Sequence, residues 1–191
     1  MSDRVASAAL AAIESARAQA VSILCLPELC ISGYGCEDAF HSPGLQQMAQ
    51  RVLLEILPET RGMIVSLGLP ILHGGGLFNT VCLAVDGQIA GFVAKQNLAG
   101  DGIHYEPRWF KPWPEDVRAE ITLDGHTYPI GDLLFDVGSV RIGFEICEDA
   151  WTAERPGRDL SMQGVDIILN PSASHFAFGK HRIRRRLVLE G

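Results

Sequence analysis

The chain has 191 residues, of which 47% are hydrophobic and 20% charged, and its formal net charge is −7. This balance fits a soluble globular protein and excludes a disordered one, and the excess of acid argues against nucleic acid or an anionic membrane as partner. The five cysteines, Cys25, Cys30, Cys36, Cys82 and Cys147, are odd in number and lack a Cys-x-x-Cys pair, which argues against a disulfide framework and for a reducing, cytoplasmic setting.

Ser2 or Asp3 can cap a first helix, in which Val5, Ala8, Ala9, Ala12, Ile13 and Ala16 recur at helical spacing. Arg4, Glu14 and Arg17 interrupt it, so it is not a secretory signal. No uncharged apolar run approaches the ~20 residues that span a bilayer. Residues 21–26 form a continuous apolar run, expected as a buried strand. Pro27 ends it, Glu28 follows at once, and a glycine-punctuated loop carries Ser32, Gly33 and Tyr34. Ser42-Pro43 opens a second helix, closed by Pro58. Residues 64–69 read as a strand, His73-Gly74-Gly75-Gly76 as a turn, and residues 78–85 and 88–94 as a hairpin around Asp86-Gly87. The sheet is therefore expected to be mixed.

Lys95 ends that hairpin, and either snorkels to water or is held inside by an acidic partner. The long loop 96–113 is dense in polar and aromatic groups, among them Asp101, His104, Tyr105, Glu106, Arg108, Trp109 and Trp113. Residues 117–123 and 127–134 suggest a further pair around Asp124-Gly125. The stretch from Val140 reads as a strand with a tight polar exit at Cys147. One short helix is expected within 152–164, a strand at 165–170, and a basic helix at 180–190 with Ile183, Leu187 and Val188 inward.

Glu28, Lys95 and Cys147 each end a strand-like segment, and ionisable groups at strand ends converge if the strands are neighbours. A thiol requires a base to become a nucleophile. Glu28 suits that task, and Lys95 suits holding negative charge. The backbone N–H of Glu148 is a second donor in the turn after Cys147. A Cys–His arrangement with His175 is the alternative, and a small buried thiol without chemistry is the plain one.

The residues carry a further pattern. Pro27-Glu28-Leu29 running to Ser32-Gly33-Tyr34, Lys95-Gln96-Asn97-Leu98, Tyr105-Glu106-Pro107-Arg108-Trp109-Phe110, Ile146-Cys147-Glu148-Asp149 with Trp151, and Asn170-Pro171-Ser172-Ala173-Ser174 stand in order along the chain. Together they resemble the carbon–nitrogen hydrolase family, or nitrilase superfamily, and within it the glutaminase part of glutamine-dependent NAD synthetases. The resemblance implies an α/β fold, a four-layer α-β-β-α sandwich making one glutaminase-like domain over residues 1–191. It implies that Cys147, Glu28 and Lys95 are catalytic, with Glu106 supporting the lysine, and that Tyr34 and Ser174 meet the substrate, beside the Glu148 N–H expected from the turn itself. It implies glutamine as substrate, no cofactor for that step, no metal, and paired subunits or a separate synthetase subunit. ATP would be used only by a synthetase domain, whose Ser-Gly-Gly-type loop this sequence lacks. Such relatives begin with a strand ahead of the first helix and continue beyond the last one, so a sandwich incomplete at both ends is expected. A small-molecule amidase, nitrilase or carbamoylase is the alternative within the superfamily, and an inactive, partner-dependent fragment the alternative outside catalysis.

Overall fold

A computed structural model of the chain describes residues 2–100 and 105–190. The alanine-rich stripe winds into α1 (Ser2–Ala18). Ser42 at the N-cap and Pro43 in the first turn start α2 (Pro43–Ile56). Both helices lie on one face of a sheet. Ala9, Ile13 and Ala16 of α1 and Val52, Leu53 and Ile56 of α2 share a core with every second residue of β2 (Ile64–His73), namely Val65, Leu67, Leu69 and Ile71. That alternation is the period of a strand with a different neighbour on each face.

β1 (Ile23–Cys25), β3 (Gly76–Val85), β4 (Gln88–Ala94), β5 (Arg118–Leu123) and β6 (His126–Gly131) complete a six-stranded sheet in the order β1-β2-β3-β4-β6-β5. β1–β2 and β4–β6 are parallel, and the other pairs antiparallel. The mixed sheet matches the reading of the hairpins, and Asp86 and Gly87 take φ of 50° and 80° in one of the turns.

A second sheet holds β7 (Phe135–Val137), β8 (Val140–Phe144) and β9 (Ile167–Leu169) in that order. Val81, Leu83 and Val93 of the large sheet pack against Phe135, Ile142, Phe144 and Ile146 of the small one. Each such buried side chain stabilises the seam by about 1.5–3 kcal/mol, which holds the strand leading to Cys147 against the strand leading to Lys95. α3 (Pro156–Met162) covers the outer face of the small sheet. It comes so close that a Cβ on Gly143 would lie 2.8 Å from the Leu160 methyls. Helices, sheet, sheet and helix make the four-layer α-β-β-α sandwich.

Two expectations need correction. Residues 21–26 do not form a buried strand: β1 is three residues long, with Ile23 and Leu24 half-buried and Cys25 exposed. It is an edge strand, paired on one side only among the described residues. The inward stripe of α4 (Lys180–Glu190) is also absent, since Ile183 is 57% and Val188 80% exposed and only Leu187 is half-buried. This helix borders two clefts, so its apolar residues line their walls rather than a core.

One glycine decides where the loop after β1 can sit. A Cβ on Gly68 would collide with the Leu29 amide nitrogen and lie 3.0 Å from the Pro27 carbonyl. The Glu28 turn therefore rests directly on the backbone of β2, held by the Ile31 N–H to Gly68 carbonyl bond of 3.0 Å. Gly68→Ala should cost about 1–3 kcal/mol in urea unfolding and shift Glu28 from its partners. An unchanged midpoint would show that the turn yields freely.

Candidate active site

Glu28 sits in a tight turn in which Leu29 takes a φ of 51°. This local strain aims the Glu28 carboxylate inward, where it is 3% exposed. Lys95 follows β4 on the face shared by Val93, and it is 1% exposed. It does not snorkel. Its ammonium donates to Glu28 Oε1 at 2.6 Å and to both Glu106 oxygens at 2.9 and 2.7 Å. Glu106 lies in a one-turn helix (Glu106–Arg108) and is itself fully buried. The Ala99 N–H donates to its Oε2 at 2.7 Å, so the long loop folds back on its own glutamate. Asp101 and His104 of that loop lie outside the described residues.

Cys147 comes from the other sheet. It starts a short helical turn (Cys147–Trp151) directly beyond β8, with a φ of 48°. The strands ending at the three groups are thus not neighbours: β2 and β3 separate β1 from β4, and β8 belongs to the facing sheet. Convergence comes from stacking two sheets rather than from adjacency within one. The Cys147 N–H donates to the Pro171 carbonyl at 3.0 Å, which fixes the turn to the end of β9. The Ala173 N–H, two residues on, donates to Glu28 Oε2 at 3.1 Å. The turn and the glutamate are thereby held by one segment, residues 171–173.

The electrostatics follow from this burial. Burial pulls the Lys95 ammonium down, but the carboxylates of Glu28 and Glu106 outweigh it and hold the lysine charged well above its usual range. Burial pushes Glu106 up, Lys95 pulls it back and Glu28 raises it again. Burial and the Glu28 charge push the Cys147 thiol up to about 11, against the lowering effect of Lys95 and a hydrogen bond with Ser172. A thiol so placed is protonated at neutral pH and reacts only if its proton is taken by a base during attack. Tyr34 is half-buried, and burial with the charges of Glu106 and Glu28 raises its hydroxyl above the ordinary phenol range.

A cavity of about 430 Å³ opens on Cys147 and is lined also by Glu148, Trp151, Ser174, His175, Phe178 and Lys180. Ser174 and Glu148 thus border the space next to the thiol. Tyr34 is not among the cavity's lining residues, and its hydroxyl hydrogen-bonds with Glu106. His175, the alternative partner for Cys147, is exposed and lines the same cavity.

Two residues of this constellation escaped the sequence reading. Asn79, in β3, donates from its amide to Glu28 and to Glu106. It stood inside an apolar strand pattern, where a single buried amide gives no signal of its own. Asp149 lay within a quoted motif but had no assigned part. It is 2% exposed and accepts at Oδ1 from the N–H groups of Gln96 (3.2 Å) and Asn97 (2.7 Å), and at Oδ2 from that of Ile146 (2.9 Å). It ties the Cys147 turn to the segment directly after Lys95. Burial raises its carboxyl to about 6 despite these bonds. Because its folded value exceeds the unfolded one, stability falls as pH rises from about 4 through that value. Asp149→Asn should remove this slope and cost about 1–3 kcal/mol, since an amide N–H would face the Ile146 donor. Urea midpoints measured across that window check both effects, and a retained slope would assign it elsewhere.

The carbon–nitrogen hydrolase family model matches residues 3–188. The chain is 32% identical over 187 residues to a putative glutamine-dependent NAD(+) synthetase of Schizosaccharomyces pombe, covering 92% of this chain and 27% of the relative. It is 34% identical over 173 residues to the glutamine-dependent NAD(+) synthetase of Mus musculus, covering 85% and 24%. The chain thus spans about a quarter of the length of these relatives. Among solved structures, a glutamine-dependent NAD(+) synthetase from Cytophaga hutchinsonii superposes with a TM-score of 0.91 at 45% identity, over 100% of this chain and 31% of that one. An amidase of the nitrilase superfamily from Nesterenkonia AN1 shares the fold at a TM-score of 0.75 and 20% identity, over 98% and 65%. Among the described residues no helix is long and apolar enough to cross a membrane.

Proposed function

Because the chain belongs to the carbon–nitrogen hydrolase family, we propose that it hydrolyses the side-chain amide of glutamine to glutamate and ammonia, as the glutaminase part of glutamine-dependent NAD synthesis. The observation that carries this reading is the buried Lys95 bridging Glu28 and Glu106 beneath the cavity that opens on Cys147. Cys147 sulfur attacks the amide carbon while Glu28 takes the thiol proton. The carbonyl oxygen becomes negative, and the charge of Lys95 and the Glu148 N–H stabilise it. The lysine acts mainly through its field, since its ammonium is already engaged by carboxylates. Glu28 passes the proton to nitrogen, the C–N bond breaks, and ammonia leaves a thioester on Cys147. Glu28 then removes a proton from water, water oxygen attacks the thioester, and the C–S bond breaks to give glutamate. The thiolate recovers the proton. Glu106 keeps Lys95 in place throughout.

The choice of glutamine rests on the cavity walls. Glu148 and Lys180 supply opposite charges beside Cys147, which suits the ammonium and carboxylate of an amino acid better than a neutral nitrile. Ser174, in the same wall, adds a hydroxyl group for that head group. Hydrolysis itself uses no cofactor. ATP would enter only where ammonia is consumed, on a synthetase domain or partner subunit, in a cytoplasmic setting. The test is glutamate release from glutamine beside a panel of small amides, nitriles and carbamoyl compounds, with Cys147→Ala as control. Turnover of glutamine that is lost in Cys147→Ala supports the reading. Turnover of the panel without glutamine would make the chain an amidase of another substrate class.

A further inference from the structure

The cluster described above is short of positive charge. Glu28 and Glu106, when ionised, carry two negative charges against the single charge of Lys95, and all three are buried. Isolated buried carboxylates normally take up a proton rather than share a site. What fills the deficit is neutral. Asn79 lies beside Lys95 on the adjacent strand, where its carbonyl accepts the Lys95 N–H at 2.9 Å. It is 1% exposed. Its side-chain nitrogen donates to Glu28 Oε1 at 2.8 Å and to Glu106 Oε1 at 3.1 Å. Its side-chain oxygen is buried and accepts nothing among the described residues, so the amide is oriented by its N–H end alone. That orientation suits two charged acceptors, because each oxygen of Glu28 and Glu106 already faces a donor: Asn79 and Lys95 at the two Oε1 atoms, the Ala173 N–H at Glu28 Oε2, and Lys95 with the Ala99 N–H at Glu106 Oε2.

We infer that Asn79 is a positioning residue that keeps Glu28 and Glu106 ionised side by side, so that Glu28 stands ready as proton acceptor for Cys147. The inference rests on the proposed base role of Glu28 but not on glutamine as substrate. Glu28 is faced by Lys95 from the end of β4, by Asn79 from β3, by Glu106 and Tyr34 from the flanking loops, by Cys147 from the turn after β8 and by the Ala173 N–H. Asp149 adds a further acidic group that interacts with Lys95. Lys95, Asn79 and the Ala173 N–H donate to Glu28. Removing the Asn79 donor therefore favours the protonated base.

The experiment is alkylation of the whole chain by iodoacetamide, read by peptide mass spectrometry over about pH 5 to 9. This reagent needs a cysteine deprotonated during attack but no glutamine pocket. Exposed Cys25, whose thiol burial raises, serves as an internal reference away from the site, and buried Cys82 reports unfolding. In the unsubstituted chain, Cys147 should show an acid limb that Glu28→Gln removes. Asn79→Ala should move that limb up by about one pH unit, with the rate recovered at high pH and Cys82 still protected. If Asn79→Ala exposes Cys82, the near-isosteric Asn79→Asp takes its place and should move the limb further in the same direction, since it adds a negative charge. A rate lowered equally at every pH, or an unmoved limb in whichever variant keeps Cys82 protected, overturns the inference. A wild-type profile without a Glu28-dependent limb overturns the base role and the inference with it.

Discussion

Lys95→Met is expected to destabilise the folded chain by about 3–5 kcal/mol and to abolish thioester formation. The methionine fills nearly the same volume, so the loss is electrostatic. Glu28 and Glu106 would remain buried with the Asn79 amide, the Tyr34 hydroxyl and backbone N–H groups among their donors. The deficit should depend on pH in a definite direction. Without the lysine, Glu106 loses the charge that pulls its carboxyl back against burial, so the folded state holds a proton that the unfolded chain releases. Stability of the variant should then fall as pH rises through the folded carboxyl titration, and recover toward the unsubstituted chain in acid. In the unsubstituted chain the lysine is raised too, so its own contribution is complete at neutral pH and is lost only above the ordinary lysine range. Urea unfolding of both chains across acid and neutral pH checks this. Equal stability at neutral pH would mean that the pair of carboxylates is not held ionised by Lys95.

Glu28→Gln is expected to lower formation of the acyl-enzyme by about 10²- to 10⁴-fold while leaving most of the fold. The shape is preserved, but an amide cannot take the Cys147 proton. Because Oε1 accepts from Lys95 and Asn79, the substituted amide nitrogen is driven toward the Ala173 N–H, opposing two donors. This should add a cost of about 1–3 kcal/mol. A single-turnover quench separates the two effects. A variant that unfolds normally yet acylates at the original rate would remove Glu28 from proton transfer.

The sequence exposed the parts of the molecule where local chemistry agrees with tertiary context. The Asp86-Gly87 turn, the Ser42-Pro43 helix start and the strand ending at Cys147 are each specified by a few adjacent residues. The groups Glu28, Lys95 and Cys147 were legible as strand-end ionisable residues, but their meeting was not, because it depends on one sheet stacked over another. Lys95 had two readings from sequence, and only its partners from loops 11 and 67 residues away decide for the buried one. Asn79 was invisible for the opposite reason: β3 is apolar around it, and its importance lies entirely in what faces it. The edge strand β1 and the exposed face of α4 mark where hydrophobicity alone overstates burial. An apolar run says that a segment avoids water, not which element covers it.

The most direct measurement of the proposed chemistry is intact-mass labelling of the purified chain with a glutamine-shaped diazoketone. Cys147→Ala and Lys95→Ala serve as controls, and excess glutamine as competitor. Labelling requires a formed glutamine pocket and an activated sulfur at the same place. One adduct per chain, lost in Cys147→Ala and slowed by glutamine, is the expected result. A soluble, folded sample that takes no label, or takes it equally in Cys147→Ala, would contradict a glutaminase site built from Glu28, Lys95 and Cys147.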